Sequence, residues 1–205
     1  MGSNIAARRA AKANRRKALV AQKRKLELAP ASLQGRVSRA AAAPFHECLL
    51  NAELFTGGIG TLVFVRGTRT TGFSVAAFLI DAWCLGIKNA YLRSLAADEL
   101  EAFLSIVEMS EPLEPIDPSH ARKLLREVAR WSRAIGFDPH PDFRAIEPIF
   151  GDVNADACDT TFQFGHEGKP FYIPGPTESP GQVKLRIKQM RERLGESGFE
   201  FAIAA

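Results

Sequence analysis

The chain has 205 residues, 46% of them hydrophobic, and a formal net charge of +4. That is enough to bury one sizeable core, or one core with a small appended unit, and it holds no apolar run near the roughly 20 residues a membrane span needs. Its three cysteines, Cys48, Cys84 and Cys158, are widely spaced and lack a CxxC pair, which sets aside a disulfide framework and fits a reducing, cytoplasmic setting.

The first predicted element is a basic arm over residues 1–28. Residues 1–40 carry eleven Lys and Arg against one acid, Glu27, for +10, while the rest of the chain carries sixteen against twenty-two, for −6. Within the arm, Arg8, Arg9, Lys12, Arg15, Arg16, Lys17, Lys23, Arg24 and Lys25 stand among alanines. Like charges at helical spacing repel and there is no apolar face to bury, so the arm is expected to be flexible alone and helical only on a polyanion. A phosphate backbone is that polyanion, because each phosphate neutralised releases condensed counterions. These nine side chains are the expected nucleic-acid contacts. A solubilising tail, an organellar transit peptide and a membrane-surface segment are the alternatives. The transit peptide is disfavoured by the lysine load and by Ser3 being the only serine before position 32; the membrane segment has only Ile5, Leu19 and Val20 to anchor it.

Residues 29–44, with Pro30, Gly35, Pro44 and an alanine run, read as a linker. From Phe45 to residue 194 a single α+β domain is expected: a hairpin-rich antiparallel sheet flanked by helices. Residues 45–56, with Phe45, Leu49, Ala52 and Phe55 near one face, predict a short helix. TLVFV at 61–65 and the apolar run 73–80 flank a polar Gly-bounded segment and predict a hairpin whose second strand is covered on both faces. Gly86 interrupts the apolar sequence as a bulge or bend would, and 87–92 predict a third strand.

A helix over 96–108 follows, with Leu100, Phe103, Leu104 and Val107 inward. Helix, three strands, helix is the order of a double-stranded-RNA-binding domain. That comparison fails here, because such a domain needs lysines where this chain has Asp98, Glu99 and Glu101. Pro112 and Pro115 stop the helix. Asp117 as N-cap, Pro118 after it and Gly136 at the far end bracket the next one, whose Arg122, Lys123, Arg126, Arg130 and Arg133 read as a solvated face. Residues 142–150 predict one short helix. Residues 160–173 predict a second hairpin, turning at Gly165-His166-Glu167-Gly168, with Phe162 and Phe164 in the core and Pro170 confining its strand to an edge or a start. A basic amphipathic helix over 182–194 and an apolar tail over 195–205 close the chain.

Chemistry is thin. His46-Glu47-Cys48 lacks the spacing of a zinc site, and the aspartates 152, 156 and 159 lack the terminal Glu of a calcium loop. GGIG at 57–60 is followed by a strand and no GK[ST], so no phosphate loop, metal or cofactor is expected. The candidates for catalysis are Asp81 and Cys84, with His46 or His166 as a base if one approached them. The duller assignment is a core thiol and a strand-ending carboxylate.

The blocks FLIDAWCLGIKNAYL (78–92), IDPSHARKLLREVARWSRAIGF (116–137) and FQFGHEGKPFYIPGPTESP (162–180) resemble a family of bacterial proteins carrying similar blocks in this order. The likeness covers about residues 45–194 and leaves out the arm. That family has no assigned activity, so the resemblance implies no catalytic residues. The sequence therefore supports a non-enzymatic RNA- or ribosome-associated protein, with a protein partner for the acidic body. A thiol- or metal-dependent enzyme and a DNA-binding protein of a mobile element are the alternatives.

Overall fold

Two strands that are apolar on both faces cannot stand in water, and the architecture is the answer to that constraint. The computed structural model describes residues 32–202; the nine basic arm residues named above lie outside them. From Val37 onward the described residues form one compact unit.

At the start, helix α1 (Leu33–Ala41) occupies most of the segment expected to be a linker, and buries Val37 and Ala40. The sheet is then built from β1 (Phe45–Asn51), β2 (Ile59–Thr68), β3 (Gly72–Asp81), β4 (Gly86–Leu95) and β5 (Leu113–Pro115), in the order β4-β3-β2-β1-β5. All neighbours are antiparallel. The α+β class, the β2–β3 hairpin and the β4 strand are as expected. The turn is tighter than expected, since β2 runs to Thr68 and leaves only residues 69–71 outside the ladder.

The helix expected at 45–56 is instead strand β1, followed by one helical turn, α2 (Leu54–Gly57). Cys48, Leu49 and Leu50 are all buried, because β1 lies between β2 and β5 and is covered on both faces. A continuous apolar run imitates helical spacing, and strand pairing decides between the two.

One face of the sheet presents Val63, Val65, Phe73 and Val75 to Leu100, Phe103 and Leu104 of helix α3 (Ala97–Glu108). The opposite face carries Phe64 and Phe78, against Phe143 of α5 (Phe143–Ile146) and Phe150, which closes a 3-10 turn (Glu147–Phe150). Between these, helix α4 (Pro118–Ala134) starts where Asp117 accepts a hydrogen bond from the Ser119 N–H, and it buries Leu124, Leu125 and Val128. Capping and proline placement thus give the helix the bounds its signals indicated.

A second core gathers Cys84, Leu85, Ile135, Phe137, Tyr172, Met190 and Phe199 under helix α6 (Pro180–Leu194), with Val183, Ile187 and Leu194 packed on it. The hairpin expected at 160–173 does not form. Its turn does, through the His166–Lys169 bridge, and β6 (Phe171–Tyr172) begins directly after Pro170. That strand, however, pairs in parallel with β7 (Glu200–Phe201), bringing part of the expected tail into the body. Residues 160–164 belong to no ladder.

Candidate functional site

The end of β3 creates the local chemistry. Asp81 is its last residue, and its Oδ1 accepts from the N–H of Trp83 at 3.1 Å and of Cys84 at 2.8 Å. The carboxylate therefore holds the four-residue turn 82–85 closed, a duty that aspartate performs well because its short side chain reaches backbone two or three residues on. Burial raises its pKa, and the Cys84 N–H and the nearby Lys88 ammonium work against that rise.

Cys84 does not join it as a nucleophile. Its thiol is buried, points to the Met190 thioether at 3.7 Å and has its pKa raised by burial and by the Asp81 charge, which is the opposite of activation. His166 lies across the Trp83 ring, at 4.7 Å between centroids. His46 lies tilted against Phe73 at the other end of the sheet; it falls between the Phe45–Arg66 and Glu47–Val65 pairs whereas Asp81 pairs with Ile59, which puts the two about 20 Å apart at the rise of a strand. The four candidates are not assembled into a Cys-His-Asp arrangement. Cys48 is likewise buried with a raised pKa, from desolvation first and from Asp117 and Glu47 next. Among the described residues no cluster of three His, Cys, Asp or Glu side chains can hold a metal ion.

What the structure does place beside Asp81 is Lys88. Between the pairs Leu79–Asn89 and Ile80–Ile87 the β3–β4 ladder shifts by one residue, and Lys88 is the residue left over. A bulge re-aims the side chain it carries. Lys88 and Asp81 line a cavity of about 200 Å³, walled by Gly58, Ile59, Trp83, Phe171, Ile173 and the prolines of the loop 174–176. Gly58 has φ +79, and a Cβ there would run into the Trp83 ring, so glycine alone lets the indole lie against this backbone.

The loop is fastened by Glu178. Its Oε2 accepts from the Tyr172 hydroxyl at 2.8 Å and the Gly175 N–H at 2.7 Å, and its Oε1 makes a close but poorly aligned ion contact with Arg186 Nε at 2.6 Å. Burial would raise the Glu178 pKa, yet these donors together hold it below the usual carboxylate value. Burial and the Glu178 carboxylate push the Tyr172 phenol up.

The basic side chains of α4 are largely committed. Arg122 reaches Glu147, the Gly151 carbonyl and the Val153 carbonyl; Lys123 donates to the carbonyls of Cys158 and Thr160, both at 2.8 Å; Arg126 shares Glu147. Arg122 and Lys123 tie the loops 147–160 to the helix, while Arg126, Arg130 and Arg133 are exposed, as a solvated face requires. Phe162 and Phe164, expected in the core, line an open cleft instead, stacked near Phe55 and Trp131.

No family model, no curated protein and no solved structure matches the chain. Residue roles rest on this geometry. Lys88 carries no recognisable motif in the sequence; the one local signal is Gly86, whose φ of +69 begins the strand just ahead of the bulge. Among the described residues no helix is long and apolar enough to cross a membrane.

Proposed function

We propose that the protein is a non-enzymatic, RNA- or ribosome-associated protein of the cytoplasm, with its basic arm as the phosphate-binding element. The observation that carries this reading is the segregation of charge, +10 on residues 1–40 against −6 on the rest. Two features of the body support it. Arg122 and Lys123 of α4 are spent on Glu147 and on backbone carbonyls, which leaves that helix fewer free cations than its sequence suggests. The side chains of Asp81, Cys84 and His166 gather around one turn without bonding to one another, and Cys84 is a buried, unactivated thiol. Free cysteines suit a reducing compartment, and the acidic body suits a protein partner.

The test is binding of single-stranded RNA and of duplex DNA to the full chain and to a form lacking residues 1–28, across a salt series. The full chain should bind RNA with a steep salt dependence, losing affinity with a log–log slope of about −0.7 per phosphate neutralised. Deletion should remove most of that slope. Equal affinity with and without the arm rejects the reading, and a clear preference for duplex DNA transfers it to a DNA-binding protein.

A further inference from the structure

Asp81 and Lys88 line one small cavity, where the lysine charge attracts the carboxylate without a direct ion pair between them. Asp81 spends Oδ1 on the N–H groups of Trp83 and Cys84, and the Leu85 N–H also bears on the carboxylate. Lys88 is half-buried, and among the described residues no ion pair or hydrogen bond reaches its ammonium. The other nearby carboxylate, Glu178, is engaged by Tyr172, Gly175 and Arg186, and Lys88 adds a longer-range attraction to it. Two opposite charges thus line the same space with no direct bond between them.

The rest of the wall limits what can enter. Trp83, Phe171, Ile173 and Pro174 are apolar or aromatic, and an ammonium is favoured over such rings. The volume of about 200 Å³ falls below that of ordinary cofactor and drug pockets, so only a ligand of few heavy atoms fits. A simple anion would satisfy Lys88 and leave Asp81 facing an anion; a simple cation would do the reverse. A small zwitterion satisfies both.

We infer that the cavity between the β3–β4 turn and the 174–176 loop is a binding site for a small free α-amino acid, its carboxylate on Lys88 and its ammonium on Asp81. The bulge exists to aim the lysine. The Glu178 network holds the proline loop that roofs the site, which makes Tyr172, Glu178 and Arg186 positioning residues. This site is separate from the arm and does not rest on the nucleic-acid reading.

The experiment is calorimetric titration of the full chain with glycine, L-alanine, L-serine, L-proline and L-valine, using acetate and methylammonium as one-charge controls. At least one amino acid should bind one-to-one, about tenfold or more tighter than either control. Lys88→Met removes the carboxylate partner and should weaken binding about tenfold or more. Asp81→Asn keeps an oxygen to close the turn and should weaken it comparably. Ile173→Trp fills the cavity from its exposed rim and should abolish binding even if the Asp81 variant proves poorly folded. Arg130→Ala, on the exposed face of α4, should leave affinity unchanged. Absence of binding by all five amino acids at about 10 mM, equal binding of a control, or full affinity in Lys88→Met and Ile173→Trp overturns the assignment.

Discussion

The two ends of the β2–β3 hairpin each bury a charge, and they resolve it differently. At one end Arg66, its side chain 7% exposed, donates to the Ala43 carbonyl at 2.8 Å and the Phe150 carbonyl at 2.7 Å and lies over the Phe64 ring. Its nearest acid, Asp152, is 3.9 Å away and fully in solvent. Desolvation lowers the Arg66 pKa against the pull of Asp152, but a guanidinium stays charged regardless. This charge is consumed in fastening three segments: the approach to β1, the 3-10 turn and β2 itself. At the other end Asp81, 7% exposed, closes a turn and lines a cavity that also holds Lys88. A charge costs several kcal/mol to bury in either place. Arg66 gives both terminal nitrogens to carbonyls and keeps only a buried Nε without a partner, so its role is architectural; Asp81 shares its end with a lysine and a cavity, and there the fold has left room for something else.

The contrast breaks first at Arg66. Arg66→Met leaves the Ala43 and Phe150 carbonyls without their donor, and should cost about 3 kcal/mol in denaturant unfolding, since unmet buried acceptors lose about 1–3 kcal/mol each. A loss under about 1 kcal/mol would mean water replaces the guanidinium and the end is not closed as described. Next is Gly58→Ala. With φ +79 and the Trp83 ring against the backbone, this variant should cost about 2 kcal/mol and displace the indole, read as a change in tryptophan fluorescence. Tyr172→Phe is smaller. It removes one hydroxyl from Glu178 and should lower stability by about 1 kcal/mol, while leaving the Arg66 end untouched; additivity with Arg66→Met in a double variant checks that the two ends are independent.

These two ends were unequally legible in the sequence. The hairpin, β4, α3, α4 and α6 are all readable, because capping residues, glycine and period-two or helical spacing speak locally. Strand β1 was not, since Cys48, Leu49 and Leu50 are buried on both faces and a run with no polar alternation has no period to read. Strand β5 is three residues ending at Pro115, tolerated only because it is an edge. At the site, Asp81 stands out as a polar residue after an apolar strand, but its neighbours in sequence misdirect. Cys84 is near it in the chain and turned into a different core, whereas Lys88 becomes its companion through a one-residue slip in the ladder. Ladder slips are properties of paired strands, and one strand's residues do not announce them. The proline loop over the cavity likewise depends on Glu178, six residues beyond Tyr172, whose partner Arg186 lies on another element.

The smallest expected effect separates the two carboxylates around the cavity by the sign of their pH dependence. Glu178 has its pKa held below the ordinary value despite burial, by the Gly175 N–H, the Tyr172 hydroxyl and Arg186. The native state then binds fewer protons than the unfolded chain just below pH 4.5, so the Glu178 contribution is present above that range and lost as pH falls through it. Asp81 runs the other way. Burial raises its pKa, the native state holds its proton where the unfolded chain, with an ordinary aspartate near 3.9, has released it, and the penalty appears as pH rises above that value. Glu178→Gln should therefore destabilise by up to about 1 kcal/mol at pH 7 and by less on acidification. Asp81→Asn should show its most favourable difference from the native chain at pH 7, and that difference should decline toward pH 4. Unfolding measured at several pH values for both variants decides the matter: parallel profiles would mean that the two carboxylates share one environment, and that the distinction between a spent charge and an available one does not hold at this end of the sheet.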